Sequence, residues 1–195
     1  MYVFMKNLFA LVALSIMFFN CSDDNMMPKP KAQLRLEYEK PIYKKIDFKY
    51  FSFDKSQLAQ VEKINDKRIN LHYPKMKATV YLTYNLVKKN LDTLLRDAEK
   101  FTLEHTVKAD EIITRDFINN KNRVFGSMNL VTGNAASQMQ FHITDSLQHF
   151  IDGSLYFYAQ PNYDSIMPAV DYLRADITKL LETLQWKNDF ISTDK

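Results

Sequence analysis

The chain has 195 residues, of which 46% are apolar and 25% are charged, a balance typical of a folded globular protein. A wholly disordered or collagen-like chain is therefore excluded, and the single cysteine excludes a disulfide-stapled one. The net charge of +3, from 26 basic and 23 acidic residues, gives no field suited to nucleic acid, so no nucleic-acid partner is expected. Only three glycines occur, which argues against a glycine-rich phosphate loop.

The first twenty residues have the pattern of an export signal. Lys6 is the only charge before the apolar run from Leu8 to Phe19. That run has twelve residues, whereas a span of the bilayer needs about 20. A basic start followed by a short apolar segment predicts a signal peptide over residues 1–20. Met5, directly before Lys6, is a more ordinary start than Met1.

The only cysteine of the chain, Cys21, follows this segment directly. A lone thiol in an exported protein cannot form an internal disulfide. Its position resembles the cleavage-site cysteine of bacterial lipoproteins, which is lipidated on sulfur and becomes the mature N-terminus. The alternative is an ordinary signal peptide with an incidental cysteine. The resemblance implies a membrane anchor of acyl chains such as palmitate, each contributing about 0.8 kcal/mol per buried methylene.

A polar tether follows the lipidation position. Ser22–Asn25 contains two aspartates and resembles the acidic surface-export tag of some Bacteroidota lipoproteins, although a solvated linker start is the plainer alternative. The Pro/Lys segment over residues 26–31 has no periodicity and predicts an extended spacer. We therefore predict a lipidated tether over residues 21–31 and a single domain over residues 32–190.

Alternating apolar and polar residues predict a series of strands in this domain. They cover Gln33–Tyr38, Asp47–Phe53, Ile69–Tyr73, Met76–Tyr84, Glu111–Ile118, Arg123–Val131, Gln138–Thr144 and Phe150–Tyr158. Apolar residues at helical spacing predict a mid-chain helix from Leu91 to His105, with Asn90 as its N-cap. A second stripe predicts a long C-terminal helix from about Asp164 to Trp186.

This order of elements predicts an α+β fold in which helices cover an antiparallel sheet. Some strands are apolar on both sides, with Leu155 and Phe157 alternating with Tyr156 and Tyr158, which predicts a helix on each face of the sheet. The layout resembles the α/β/α sandwich of Mog1/PsbP-like proteins. Such a likeness of fold does not by itself define a function.

The sequence contains no GxSxG, P-loop, HExxH or cysteine-based metal motif. His142, Asp145 and His149 could meet across a turn as zinc ligands, but no fourth ligand accompanies them, and a solvated turn is the alternative. Ser137 with His142 and Asp145 could form a triad, but no oxyanion-hole context supports it. We therefore expect no enzyme, cofactor or metal site. The alternative hypothesis is a periplasmic hydrolase or metal-dependent enzyme that uses His142, Asp145 and His149.

The most unusual local sequence is Gly133–Ser137. Gly133 and Asn134 are residue types that accept a positive φ, and the two alanines that follow permit close approach of the backbone. The segment could form a contact surface or a simple hairpin turn between two strands.

Together with the lipoprotein-like start, three stretches resemble the GldD family of gliding motility lipoproteins of Bacteroidota. They are His105–Asp110, Gly133–Ser137 and Pro161–Ser165. The segment from Phe141 to Phe157 and the entry at Pro28–Lys31 are also similar to the family. The resemblance extends from Cys21 to about Trp186.

This resemblance implies an envelope lipoprotein required for gliding motility and type IX secretion. It implies a non-catalytic accessory component, anchored through Cys21 in the outer membrane, on its periplasmic face or on the cell surface. The expected partners are the membrane and other envelope proteins of the gliding and secretion machinery. We expect a contact surface formed by Gly133, Asn134, Ser137, Asn162, Tyr163 and Asp164.

Overall fold

A computed structural model describes residues 38–104, 109–158 and 163–187 of the chain. These residues all belong to one compact unit. The predicted signal peptide, Cys21 and the tether lie outside the described residues, as does most of the predicted strand Gln33–Tyr38. His105 and Asn162 lie outside them as well.

Within the described ranges, the chain forms ten strands and two α-helices. The first five strands are β1 (Tyr43–Asp47), β2 (Phe51–Ser56), β3 (Gln60–Lys63), β4 (Arg68–Tyr73) and β5 (Ala78–Leu86). The others are β6 (Ala109–Asn119), β7 (Val124–Gly133), β8 (Ser137–Thr144), β9 (His149–Phe157) and β10 (Gln185–Trp186). The helices are α1 (Leu91–Glu104) and α2 (Tyr163–Thr183), and a 3-10 turn at Pro74–Met76 leads into β5.

The strands form two antiparallel sheets. The large sheet has seven strands in the order β3-β4-β5-β9-β8-β7-β6, and the small sheet has three in the order β1-β2-β10. The predicted α+β class with an antiparallel sheet, a mid-chain helix and a long C-terminal helix is confirmed. The description of the layout as a Mog1/PsbP-like sandwich stays a prediction.

The hydrophobic core lies between one face of the large sheet, helix α2 and the small sheet. The sheet contributes alternate residues of its central strands, and α2 contributes the predicted stripe, which is confirmed by the burial of Val170, Leu173, Ile177 and Leu180. Aromatic rings join the two sheets, since Tyr50 stacks on Tyr84 with ring centroids 4.3 Å apart. The sheets are therefore held together by packed side chains.

Helix α2 ends at Thr183, three residues before its predicted end. Gln185 and Trp186 instead pair with Ser52 and Phe51 of β2 as strand β10. The indole of Trp186 stacks on His149 with centroids 5.0 Å apart, and its Nε1 donates to the Arg123 carbonyl at 3.0 Å. These contacts hold the end of the described chain in a strand.

The predicted strand Asp47–Phe53 is divided in two. Asp47 ends β1, residues 48–50 form a turn, and β2 begins at Phe51. Ile46 faces Phe53 across the resulting hairpin, and the Phe48 N–H donates to the Phe51 carbonyl at 2.9 Å. The prediction of one continuous strand was therefore wrong, because aromatic residues continue through the turn.

Helix α2 carries a buried carboxylate, Asp176, which is only 3% exposed and accepts a hydrogen bond from the Tyr43 hydroxyl at 2.7 Å. Burial raises the pKa of Asp176, and hydrogen bonds from Tyr43, Ser56 and Tyr73 oppose this rise only in part. The folded state thus holds a proton on this carboxyl more firmly than the unfolded chain does.

The Asp176→Asn variant is therefore expected to gain stability relative to wild type as the pH rises. The raised pKa makes wild-type stability fall as pH increases from the unfolded pKa of about 3.9 through the folded pKa, and asparagine removes that loss. Urea unfolding across this range, followed by the fluorescence of the single tryptophan Trp186, measures the difference. Asp171→Asn, on an exposed turn of the same helix, is the control. Parallel pH profiles for Asp176→Asn and wild type would contradict the prediction.

Candidate functional site

The structure brings together two of the segments expected to form a contact surface. The Asn134 side-chain oxygen accepts a hydrogen bond from the Tyr163 backbone N–H, the first residue of α2, at 3.1 Å. Gly133 has a φ of +87°, and a Cβ there would lie 2.8 Å from the Asp110 backbone nitrogen. The glycine thus allows the end of β7 to turn tightly beside β6, which places Asn134 against α2.

Ser137 belongs to the interior of this turn. Its side chain is fully buried, and its hydroxyl donates to the carbonyls of Met139 and Leu155 at 3.1 and 2.9 Å. The proposed surface position of Ser137 is therefore corrected. Gly133 is buried too, which corrects its expected surface position. Asn134, Ala136 and Asp164 are exposed, and with the half-buried Tyr163 they form what we call the turn surface.

Gln138 supports the turn from inside, a role that the sequence did not indicate. Its amide nitrogen donates to the Ala135 carbonyl at 2.8 Å, and the residue is 2% exposed. The register between β8 and β9 shifts between Ser137 and Met139, so both serine and glutamine turn inward there. A β-bulge of this kind breaks the alternation from which the sequence assigns faces.

The three residues of the alternative enzyme hypothesis are used separately in the structure. The carboxylate of Asp145 accepts the backbone N–H groups of Leu147, Gln148 and His149 at 3.0, 2.8 and 2.8 Å. His149 lies on the core face, where its Nδ1 is hydrogen bonded to the Tyr84 hydroxyl at 2.9 Å. His142 lines a cavity on the opposite face of the sheet. In the described part of the chain, no three His, Cys, Asp or Glu side chains group as metal ligands.

The face of the large sheet opposite the core is polar across its width. Residues paired directly across antiparallel strands share a face, which defines two rows of side chains. The Gln140 row crosses all seven strands and consists of Glu62, Asn70, Tyr81, Ser154, Gln140, Asn129 and Thr114. The Asp152 row lies beside it and consists of Arg68, Thr83, Asp152, His142, Ser127 and Asp116.

Helix α1 lies over these rows and encloses a cavity of about 480 Å³ against them. The helix contributes Leu94, Ala98, Phe101 and Thr102 to its walls, and the floor comes from the central strands. The helix is tied to the floor by a hydrogen bond from the Asn129 amide to the Thr102 hydroxyl at 3.2 Å. We call this space the α1 cavity.

Burial shifts the pKa values of two titratable side chains in the α1 cavity, Asp152 and His142. It raises the pKa of Asp152, and the opposing effects include a hydrogen bond from Thr83 and the charge of Arg68. Burial also lowers the pKa of His142, against the charge of Glu99, so the imidazole is neutral at pH 7. The residues that line the cavity include no lysine or arginine.

Hydrogen bonds at the edge of the sheet connect the cavity to the surface. Tyr81 lines the cavity, and its hydroxyl is 2.8 Å from the Tyr158 hydroxyl. Tyr158 accepts from Thr79 at 2.9 Å, and His72 joins Thr79 to Glu62 through contacts of 2.8 and 2.9 Å. Fixed polar groups thus extend from the cavity to the β3 edge.

The sequence placed Gln140 and His142 on the outer face of their strand but did not predict the cavity. The sequence of a strand alternates between apolar and polar residues in the same way whether its polar face is covered by water or by a helix. The signal available was the accumulation of polar residues on that face in several strands, such as Thr79, Tyr81 and Thr83 in β5.

Within the described ranges, no helix combines the length and the apolar character needed to cross a membrane. Neither a curated protein nor a solved structure matches the chain. A family model described as "Gliding motility lipoprotein GldD" matches residues 23–186, which is most of the sequence. A lipoprotein is held in the cell envelope by its lipid, and Cys21 as the lipid attachment residue stays a prediction. The resemblance found in the sequence is thereby confirmed, and the chain belongs to the GldD family of gliding motility lipoproteins.

Proposed function

We propose that this lipoprotein is a non-catalytic accessory component of the gliding and type IX secretion machinery, anchored through Cys21 in the outer membrane of a member of the Bacteroidota. It acts by binding other envelope proteins of that machinery. The observation that carries the proposal is the turn surface, where the hydrogen bond from Tyr163 to Asn134 joins two segments distant in sequence into one exposed area.

The way in which the titratable groups are used supports a binding role. Asp145 serves as the acceptor for a turn, and His149 is packed against Trp186 in the core. These two side chains, which the sequence offered together with His142 as a catalytic set, stabilise the fold. Ala136 of the turn surface is exposed and has no comparable structural role. A partner can therefore contact this residue without disturbing the sheet.

A deletion strain complemented with variants tests the proposal. We expect deletion to abolish both colony spreading and secretion through the type IX system, and wild type but not Cys21→Ala to restore them. Asp164→Lys on the turn surface is expected to fail to restore spreading while its protein level stays normal. The control is Asp92→Lys, because both residues are acidic groups in the first turn of a helix, where charge reversal costs about 0.3–1 kcal/mol.

Normal spreading and secretion in the deletion strain would overturn the proposed function. If Asp164→Lys restored spreading as completely as Asp92→Lys, the turn surface would have no part in the proposed function. Loss of the Asp164→Lys protein from the envelope, measured by immunoblot, would assign the segment a folding role instead.

A further inference from the structure

The α1 cavity contains a buried amide with no use in the fold. Gln140 is 3% exposed, and neither its Nε2 nor its Oε1 has a hydrogen-bond partner among the described residues. Leaving a buried polar group unsatisfied costs about 1–3 kcal/mol, so such groups are rare in folded proteins. An amide kept at this cost in the wall of a cavity indicates a ligand that supplies its partners.

The neighbouring amide in the same row shows the contrast. Asn129 accepts from the Thr114 hydroxyl at 2.7 Å and donates to Thr102 at 3.2 Å. Its position is directly opposite Gln140 in the adjacent strand. The fold therefore satisfies one amide of the pair from its own side chains and leaves the other without a partner.

From this arrangement we propose that the α1 cavity binds an uncharged saccharide. The carboxamide of Gln140 has a donor and an acceptor side by side, and two adjacent sugar hydroxyls can match both because each hydroxyl donates and accepts. The hydroxyl-bearing residues Tyr81, Thr83 and Ser154 also line this space. These groups add further donors and acceptors for a polyhydroxylated ligand.

The electrostatics of the cavity favour a ligand without negative charge. Its lining includes the carboxyls of Asp97 and Asp152 and no lysine or arginine. Anion sites in proteins depend on arginine, lysine or converging backbone N–H groups. A phosphate or carboxylate ligand would thus meet two acidic side chains, with no lysine or arginine in the lining and with His142, whose pKa burial lowers, as the one imidazole.

The size and the apolar part of the cavity fit one or two sugar rings. The volume of about 480 Å³ lies within the range of about 300–1,000 Å³ for small-molecule sites. Phe101 of α1 lines the cavity and is 42% exposed, which provides an aromatic face for the C–H groups of a ring. Polar groups on the sheet and an aromatic ring on the helix would then contact opposite faces of the ligand.

The test uses the full lipoprotein, purified in a detergent without a sugar headgroup. Wild type is titrated by calorimetry with neutral mono- and disaccharides of glucose, mannose and N-acetylglucosamine, with soluble neutral polysaccharides, and with glucuronate and phosphate. We expect a neutral sugar to bind. Binding of free sugars points to a small-molecule ligand, whereas binding of polysaccharide alone points to a glycan chain, and either supports the site.

The central variant is Gln140→Leu, and Gln60→Leu, at an exposed strand position outside the cavity, is its control. Gln140→Leu is expected to weaken saccharide binding at least about tenfold, the equivalent of about 1.4 kcal/mol, while Gln60→Leu binds as wild type does. Gln140→Leu is also expected to raise the melting temperature of the unliganded protein, because it removes the unsatisfied amide. A purely structural glutamine would give the opposite shift.

Phe101→Ala serves as a second variant at a partly exposed position, and it is expected to weaken binding with little change in stability. The absence of binding by every neutral saccharide to wild type would overturn the proposal. Equal binding by Gln140→Leu and wild type, or preferential binding of glucuronate or phosphate, would overturn it as well.

Discussion

Replacing Gly126 with alanine is expected to destabilise the protein severely. Gly126 lies in β7 opposite Ile143 of β8, and a Cβ at this position would stand 1.9 Å from the backbone oxygen of His142. A backbone atom cannot rotate away as a side chain can, so β7 and β8 must separate. We expect a loss of about 3 kcal/mol or more, a large part of the roughly 5–15 kcal/mol that keeps a domain folded.

Urea unfolding followed by Trp186 fluorescence measures this loss, because the indole packs on His149 and is exposed on unfolding. The matched control is Ser127→Ala in the next position of β7. It removes a hydroxyl that lies 3.4 Å from His142 Nδ1, and its effect is expected to stay within about 0.5 kcal/mol. A wild-type unfolding midpoint for Gly126→Ala would show that β7 and β8 do not approach each other this closely.

The second large effect is expected for Asp145→Ala. Asp145 is 8% exposed, and one carboxylate oxygen accepts three consecutive backbone N–H groups, the last of which belongs to His149 at 2.8 Å. Alanine leaves all three donors without their acceptor. Since one lost cap costs about 1 kcal/mol and an unsatisfied buried donor about 1–3 kcal/mol, we expect a loss of about 3 kcal/mol.

The contribution of Asp145 to stability should increase with pH, whereas that of Asp176 decreases with pH. Burial raises the pKa of Asp145, but the backbone hydrogen bonds from His149, Gln148 and Leu147 outweigh burial, and the net pKa is lowered. The stabilisation is therefore complete above the unfolded pKa of about 3.9 and disappears as the pH falls through the folded pKa.

Unfolding of wild type, Asp145→Ala and Asp145→Asn between neutral and acidic pH checks the sign. Asparagine keeps an acceptor without the charge, so its deficit should be smaller than that of alanine. The gap between wild type and alanine should shrink on acidification. A gap that grows towards acid would contradict the assignment of Asp145 as a charged cap.

The elements with strong periodicity were predictable from the sequence. The stripe of α2, the helix α1 and the alternating strands β4 to β9 all depend on local spacing of apolar residues, and each is present. The β1–β2 hairpin was not predictable from the sequence, because Phe48 and Tyr50 continue the aromatic alternation through the turn. Strand β10 was not predictable either, since its pairing with β2 depends on residues far away in the chain.

Turns were difficult to recognise for a specific physical reason. Among the described residues, glycine provides left-handed backbone only at Gly133, and the other such positions are Lys77, Lys89, Arg123 and Ser146, with φ values of 49°, 58°, 53° and 68°. A chain with three glycines places other side chains at such positions, so the glycine signal of a turn is missing at Lys77 and Lys89.

For the candidate sites, the sequence indicated the parts but not their assembly. Gly133 and Asn134 were marked by their residue types and Tyr163 by the family resemblance of its segment, and the hydrogen bond between Asn134 and Tyr163 links the two segments. The α1 cavity depends on which face of the sheet α1 covers. That choice is made by tertiary packing, which no local pattern encodes.

The pairing of β2 with β10 has a consequence for the order in which the protein can be assembled. Ser52 and Gln185 are partners in one sheet, so the core closes only when almost the whole described chain is available. A lipoprotein arrives in the envelope from its N-terminus onwards, and its early strands must wait for the last one. Such non-local closure slows folding. The hairpin of β1 and β2 therefore gains its third strand only after the C-terminal end of the described chain is available.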